Sequence, residues 1–136
     1  MQIGDYIRTK SGIIAKCIEE KVDRYIFDRV VVEDCYYNDY IWKDVSGKAN
    51  PIKKYSPNIT DLVEIGDILS FKDGSICRVL DIVNVATDIK YYLFKDMSGE
   101  QYYENEEWIN DFSSIVTKEQ FEDMMYLIGE NYESER

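Results

Sequence analysis

Short runs of β-prone residues, broken by glycine turns, fill most of the chain, and the period changes only near its end. "GDYIRTKSGIIAKCIEE" (4–20) sets such residues on both sides of a Lys-Ser-Gly turn, and "GDILSFKDGSICRVLDI" (66–82) does so around Lys-Asp-Gly. A glycine there supplies the positive φ of a tight hairpin. "RYIFDRVVVEDCYY" and "DIKYYLFKDMSGEQYY" follow, each long enough for two further strands. In "TKEQFEDMMYLIGE" the spacing turns helical: Phe121, Met124, Met125 and Ile128 fall at i, i+3, i+4 and i+7. Thr117 and Gln120 form a capping-box pair, and Gly129 closes the helix.

The β pattern occurs twice. Ile3-Gly4-Asp5-Tyr6-Ile7 aligns with Ile65-Gly66-Asp67-Ile68-Leu69 at an offset of 62, and Lys10/Lys72, Gly12/Gly74, Ile14/Ile76 and Lys16/Arg78 continue in register. "YYNDYIW" (36–42) and "YYENEEW" (102–108) repeat at an offset of 66. Each half ends in a helix-start signal, Ser56-Pro57-Asn58 in the first and Thr117-Lys118-Glu119-Gln120 in the second. Ordered landmarks of this kind indicate a diverged internal repeat. The pattern predicts a mainly β protein with a C-terminal α-helix, built as two tandem SH3-like small barrels. The expected boundaries are a first unit at 1–62, a second at 63–116, the amphipathic helix at 117–129 and a frayed tail at 130–136. Tyr37 should match Tyr103, and Trp42 should match Trp108. Ser56-Pro57 should form no more than a turn joining the units. The helix should lay Phe121, Met124 and Ile128 on β structure, or on a second copy of the chain in a homodimer.

Charge separates the halves. Of a net charge of −11, residues 1–62 contribute zero (ten Lys/Arg, ten Asp/Glu), and residues 63–136 contribute all of it (six against seventeen). An acidic half repels phosphate backbones, so it is not expected to bind nucleic acid directly. Histidine is absent, which removes the usual base near neutral pH and any imidazole-dependent triad. Cys17, Cys35 and Cys77 are odd in number and widely spaced, and they read as buried free thiols. No EF-hand or zinc spacing occurs, and no cofactor, metal or enzymatic activity is expected. The absence of a long apolar run predicts no membrane span and a cytoplasmic location.

Two surfaces carry candidate function. Glu100, Glu104, Glu106, Glu107, Trp108 and Asp111 form an acidic, aromatic-flanked cluster in the second half. It is either a solvated face or a partner-binding surface. On a continuous strand, Glu104 and Glu106 would stand roughly 6.6 Å apart on one face, in imitation of a nucleic-acid backbone. The other surface is Trp42 and Tyr40 with Lys43, Lys48, Lys53 and Lys54, a stacking platform for a small nucleic-acid-binding module. Gly4-Asp5 and Gly66-Asp67 read as turns leading into strands, with a purely structural aspartate.

"IGDYIRTKSGIIAK", "SPNITDLVEIGD" and "IVTKEQFE" resemble, in order along the chain, a group of small proteins encoded by phages and prophages of Gram-positive bacteria. The resemblance implies a phage accessory gene and transfers no catalytic motif. Combined with the acidic half, it suggests a non-enzymatic factor that binds a host protein, such as a defence nuclease whose nucleic-acid site is basic.

Overall fold

Glycine at φ +91 (Gly12) and φ +88 (Gly74) closes two hairpins of one design. The first joins β1 (Tyr6–Thr9) to β2 (Ile14–Glu20), and the second joins β8 (Ile68–Phe71) to β9 (Ile76–Ala86). A computed structural model describes residues 1–33, 37–44, 51–86, 89–109 and 112–124. In the two hairpins Ile7 faces Ala15 and Leu69 faces Cys77, residues 62 positions apart. The turn bonds match too: Gly12 N donates to Thr9 O at 3.0 Å, and Gly74 N donates to Phe71 O at 2.9 Å. Both aspartates act as foreseen, Asp5 accepting from the Gln2 amide and Asp67 from the Glu64 amide.

The remaining strands are β3 (Arg24–Phe27), β4 (Val32–Glu33), β5 (Tyr37–Asn38), β6 (Tyr40–Trp42) and β7 (Ile52–Ser56) in the first half. The second half has β10 (Ile89–Asp96), β11 (Gln101–Asn105) and β12 (Phe112–Val116). Ten of the strands form two antiparallel five-stranded sheets, ordered β6-β3-β2-β1-β7 and β11-β10-β9-β8-β12, and β4 pairs with β5. Both orders place the first strand between second and last. Even the bulges coincide: one interrupts β2 between Cys17 and Glu19 and β9 between Val79 and Asp81, another displaces Lys53 on β7 and Ser113 on β12. Each sheet covers its own core. Ile7, Cys17, Tyr25 and Phe27 pack in the first, and Leu69, Val79, Tyr92 and Phe94 occupy the corresponding rungs of the second.

This register overturns the expected match of the tyrosine pairs. Ile26 faces Tyr40 while Leu93 faces Tyr103, so the counterpart of Tyr103 is Tyr40 and not Tyr37. Likewise Arg24 faces Trp42 and Tyr91 faces Asn105, so Trp42 corresponds to Asn105. Tyr37 belongs to a separate two-stranded ladder with Glu33, and Trp108 lies in a short helix, α1 (Glu106–Ile109). The cause is a pair of length changes. The hairpin between the second and third strands is longer in the second half, and the next connection is longer in the first.

Two helical pieces follow the last strands. A 3₁₀ turn at Ile59–Leu62 is capped by Asn58, whose Oδ1 accepts from the Thr60 amide at 3.2 Å. The sequence had suggested only a turn at Ser56-Pro57. The Ser56 hydroxyl instead donates to Asp61 and accepts from the Asn58 amide. Helix α2 (Lys118–Met124) starts with the expected capping box, Gln120 N to Thr117 Oγ1 and Thr117 N to Gln120 Oε1, both 3.4 Å. Phe121 is half-buried, with the Arg78 guanidinium 5.1 Å from its ring. The expectations for Ile128, for a helix reaching residue 129 and for the tail at 130–136 fall outside the described residues, as does the side chain of Met124.

The start of α2 sits on the first hairpin: the Thr117 hydroxyl donates to Gly12 O at 2.6 Å. A Cβ at Gly12 would meet Thr117 Oγ1 and would lie 2.7 Å from Glu119 Cβ, whereas one at Gly74 meets nothing within 4 Å. Alanine at either position carries about 1–2 kcal/mol for the left-handed backbone. Gly12→Ala should lose about 1–3 kcal/mol more through overpacking. Urea denaturation of the two variants checks this, and equal losses would place α2 away from the first hairpin.

Candidate protein-binding surface and the ion-pair centre behind it

Which charges are free for a partner depends on which ones the fold consumes. Arg8, in β1 between buried Ile7 and Thr9, has no exposed side-chain surface, and neither does Asp67. A buried guanidinium needs anions and acceptors in fixed geometry. Nη1 donates to Asp67 Oδ2 at 2.6 Å and to Leu62 O at 2.9 Å. Nη2 donates to Asp67 Oδ1 at 2.9 Å and to Glu119 Oε2 at 2.6 Å. Nε makes no hydrogen bond and lies 3.6 Å from Glu64 Oε2. Asp67 also accepts from the Lys118 amide at 2.9 Å. The centre thus ties β1, the 3₁₀ turn, the 63–67 connection and α2 together.

Glu64 extends it, with Lys53, Lys54 and Lys118 Nζ at 2.8, 3.1 and 3.2 Å. Burial by itself would raise the Glu64 pKa, but the three lysines and Arg8 outweigh it and lower it from 4.5 to about 2. Glu119 is lowered in the same way: burial opposes, while its own backbone amide and Arg8 prevail. Burial lowers the Arg8 pKa, and the hydrogen bond and charge of Asp67, the hydrogen bond of Glu119 and the charge of Glu64 more than compensate.

The platform of Trp42 with Lys53 and Lys54 is therefore not assembled. Trp42 is on β6 and the lysines are on β7, opposite edges of one sheet, and both lysines are paired to Glu64. Exposed Trp42 and half-buried Tyr40 do form a cluster, edge to face at 5.2 Å, with Arg24 across both rings. Lys43 pairs with Glu20 at 2.7 Å and lies over Tyr25 at 4.5 Å, and Lys48 falls outside the described residues.

The acidic cluster is brought to one edge of the second sheet, but not as a continuous row. β11 ends at Asn105 and Glu106 begins α1, so the expected spacing of Glu104 and Glu106 along one strand does not hold. Glu104 is half-buried on the inner side of β11, facing Tyr92, and its charge adds to the burial that raises the Tyr102 pKa. Glu106 is also half-buried. Burial pushes the Tyr92 hydroxyl up to about 12, with Glu106 and Asp61 contributing. Glu100 and Glu107 are exposed at the two ends of β11, with the exposed ring of Tyr103 between them. The side chain of Trp108 and all of Asp111 lie outside the described residues.

Cys17 and Cys77 are buried free thiols whose pKa is raised by that burial, and Cys35 is outside the described residues. Among the described residues no helix is long and apolar enough to cross a membrane. Comparisons with protein-family models, with curated proteins and with solved structures find no match.

The sequence reading missed Arg8 and Glu64, and it gave Asp67 a turn role without its pairing to Arg8. One signal was available: a charged residue alone in the apolar "YIRT" strand, where the second copy carries Ser70.

Two outcomes follow. Arg8→Met should destabilise by about 3–5 kcal/mol, the usual loss when a buried carboxylate is stripped of its partner. Adding Asp67→Asn should restore part of that. Denaturant midpoints test both, and a single substitution that is nearly silent would show the centre to be solvated. The second outcome concerns acid. Because folding depresses the Glu64 and Glu119 pKa values, their contribution is complete above about pH 4.5 and is lost as pH falls towards 2. Glu64→Gln should flatten stability against pH in that window, measured by thermal melts from pH 6 to pH 2.

Proposed function

We propose that the chain is a non-enzymatic binding protein, made of two diverged copies of an SH3-like unit, whose acidic second copy docks on a basic surface of a partner protein. One observation carries the reading. The whole net charge lies in residues 63–136, and at the β11 edge Glu100 and Glu107 stand exposed on either side of an exposed tyrosine. The two flank the five residues of β11, roughly 16 Å of extended edge, a span suited to a groove on a protein more than to a small ligand. The sequence resemblance supplies the setting, a phage-encoded accessory factor acting in the host cytoplasm. Taken with the acidic half, it suggests a partner class, a nucleic-acid-handling host protein such as a defence nuclease. The alternative, a nucleic-acid-binding first unit, has lost two of its cations to Glu64.

Affinity carried by exposed carboxylates is sensitive to salt and is competed by polyanions. With the protein immobilised and a host lysate as the source of partner, capture should fall steeply from low to moderate salt and should be displaced by added DNA or RNA. Glu100→Lys with Glu107→Lys should abolish it while changing stability by less than about 0.5 kcal/mol, as exposed charges do. Retarded DNA or RNA in a mobility-shift experiment with the purified protein would overturn the reading.

A further inference from the structure

The shared register places the outer faces of the two sheets in one frame. In the first sheet Arg24 and Ile26 on β3 stand beside Trp42 and Tyr40 on β6. In the second, Tyr91 and Leu93 on β10 stand beside Asn105 and Tyr103 on β11. The intervening residues Tyr25, Phe27, Ile41, Tyr92 and Phe94 are buried, which fixes the outward direction of the others.

In the first sheet this face already carries a guanidinium. The Arg24 guanidinium lies 5.2 Å from the Trp42 ring centre and 5.6 Å from that of Tyr40, and the Asp23 carboxylate holds it at 3.1 Å. In the second sheet the place of Arg24 is taken by Tyr91. Among the described residues no cation lies over Tyr91 or Tyr103. Tyr103 is 59% exposed, and Val83 and Ile89 extend the apolar surface along the lengthened hairpin. Lys95, the cation on the same side of β10, has its Cε 4.0 Å from where a Gly99 Cβ would sit, against the neighbouring turn. Asp81 is exposed and faces Leu93, two strand spacings and roughly 10 Å from Tyr103 in the same cross-sheet row.

We propose that the outer face of the second sheet receives an arginine side chain of a partner protein, its guanidinium over Tyr91 and Tyr103 and its charge matched by Asp81. The first sheet shows one such contact within the chain, a guanidinium against Tyr40, the counterpart of Tyr103, and paired to a carboxylate. A planar guanidinium stacks on such rings, whereas an ammonium is a compact, strongly hydrated charge. A second copy of the chain is a poor occupant, because it would bring the same acidic half against Asp81 and Glu107. The inference rests on the second unit being the binding half, and it adds the side chain which that half selects.

The test uses the full chain, ¹⁵N-labelled, and two octapeptides of serine, threonine and glycine with one central arginine or one central lysine. Titrated into the millimolar range, the arginine peptide should shift the amides of Asp81, Val83, Tyr91, Leu93 and Tyr103. The lysine peptide should bind about three- to fivefold more weakly. Tyr103→Ala should remove the shifts. Tyr91→Arg, which places a guanidinium beside Tyr103 as Arg24 stands beside Tyr40, should block the peptide while circular dichroism shows the fold retained. Equal binding of the two peptides, shifts confined to other surfaces, or no shifts at all would overturn the proposal. So would concentration-dependent dimerisation abolished by Tyr103→Ala, which would make the face a self-interface. Partner capture lost in the Glu100/Glu107 reversal but intact in Tyr103→Ala would sink this inference and leave the acidic-edge reading standing. Loss in Tyr103→Ala alone would do the opposite.

Discussion

A guanidinium without access to water organises the junction of this molecule. Moving Arg8 out of solvent costs several kcal/mol unless its donors find anions and acceptors in fixed positions. None of those partners lies in its own strand: Leu62 O ends the 3₁₀ turn, Glu64 and Asp67 lie in the connection to the second sheet, and Glu119 lies in the first turn of α2. Satisfying one side chain therefore sets where the second sheet begins and where the last helix starts. Asp67 reinforces this by accepting from the Glu64 and Lys118 amides while it holds Arg8. The charge around Glu64 is a further layer, in which three lysines crowd one carboxylate at the rim.

Much of the architecture was legible because it is local. Gly12 and Gly74 fix two hairpins, apolar residues mark the inward rungs, and Thr117 with Gln120 announces α2. Register between distant strands was not legible. The two Tyr-Tyr-to-Trp motifs repeat at an offset of 66, but the two hydrogen-bonded ladders make Tyr40 the counterpart of Tyr103, an offset of 63. The letters recur across two length changes of opposite sign, and a motif match cannot see either. The candidate site was legible only in part. Charge by halves pointed to the second sheet, and Glu100 and Glu107 are exposed there. The expected alternation through Glu106 failed because the strand gives way to α1. Lys53 and Lys54 seemed available because nothing periodic links them to Glu64, a pairing that exists only once the chain has folded back.

Core and surface have diverged in different ways. The inward rungs keep their chemical character, Ile7 with Leu69, Tyr25 with Tyr92 and Phe27 with Phe94. Packing in a small sheet tolerates shifts of shape but little change in volume or polarity. The outward rungs change freely: Arg24 corresponds to Tyr91 and Trp42 to Asn105. A common strand order thus presents an aromatic face with its own guanidinium in the first sheet and an open, acid-rimmed one in the second.

The pairing of Arg8 with Asp67 also bears on how the halves can be separated. The counterpart of Arg8 is Ser70, so the two copies are no longer interchangeable. A first half excised alone would keep the guanidinium and lose its carboxylates, and a second half alone would keep Asp67 and lose its counter-charge. Two sheets of similar topology are joined through a buried charge that only the first of them carries. Shuffling either half into another protein would carry with it an uncompensated charge at the seam.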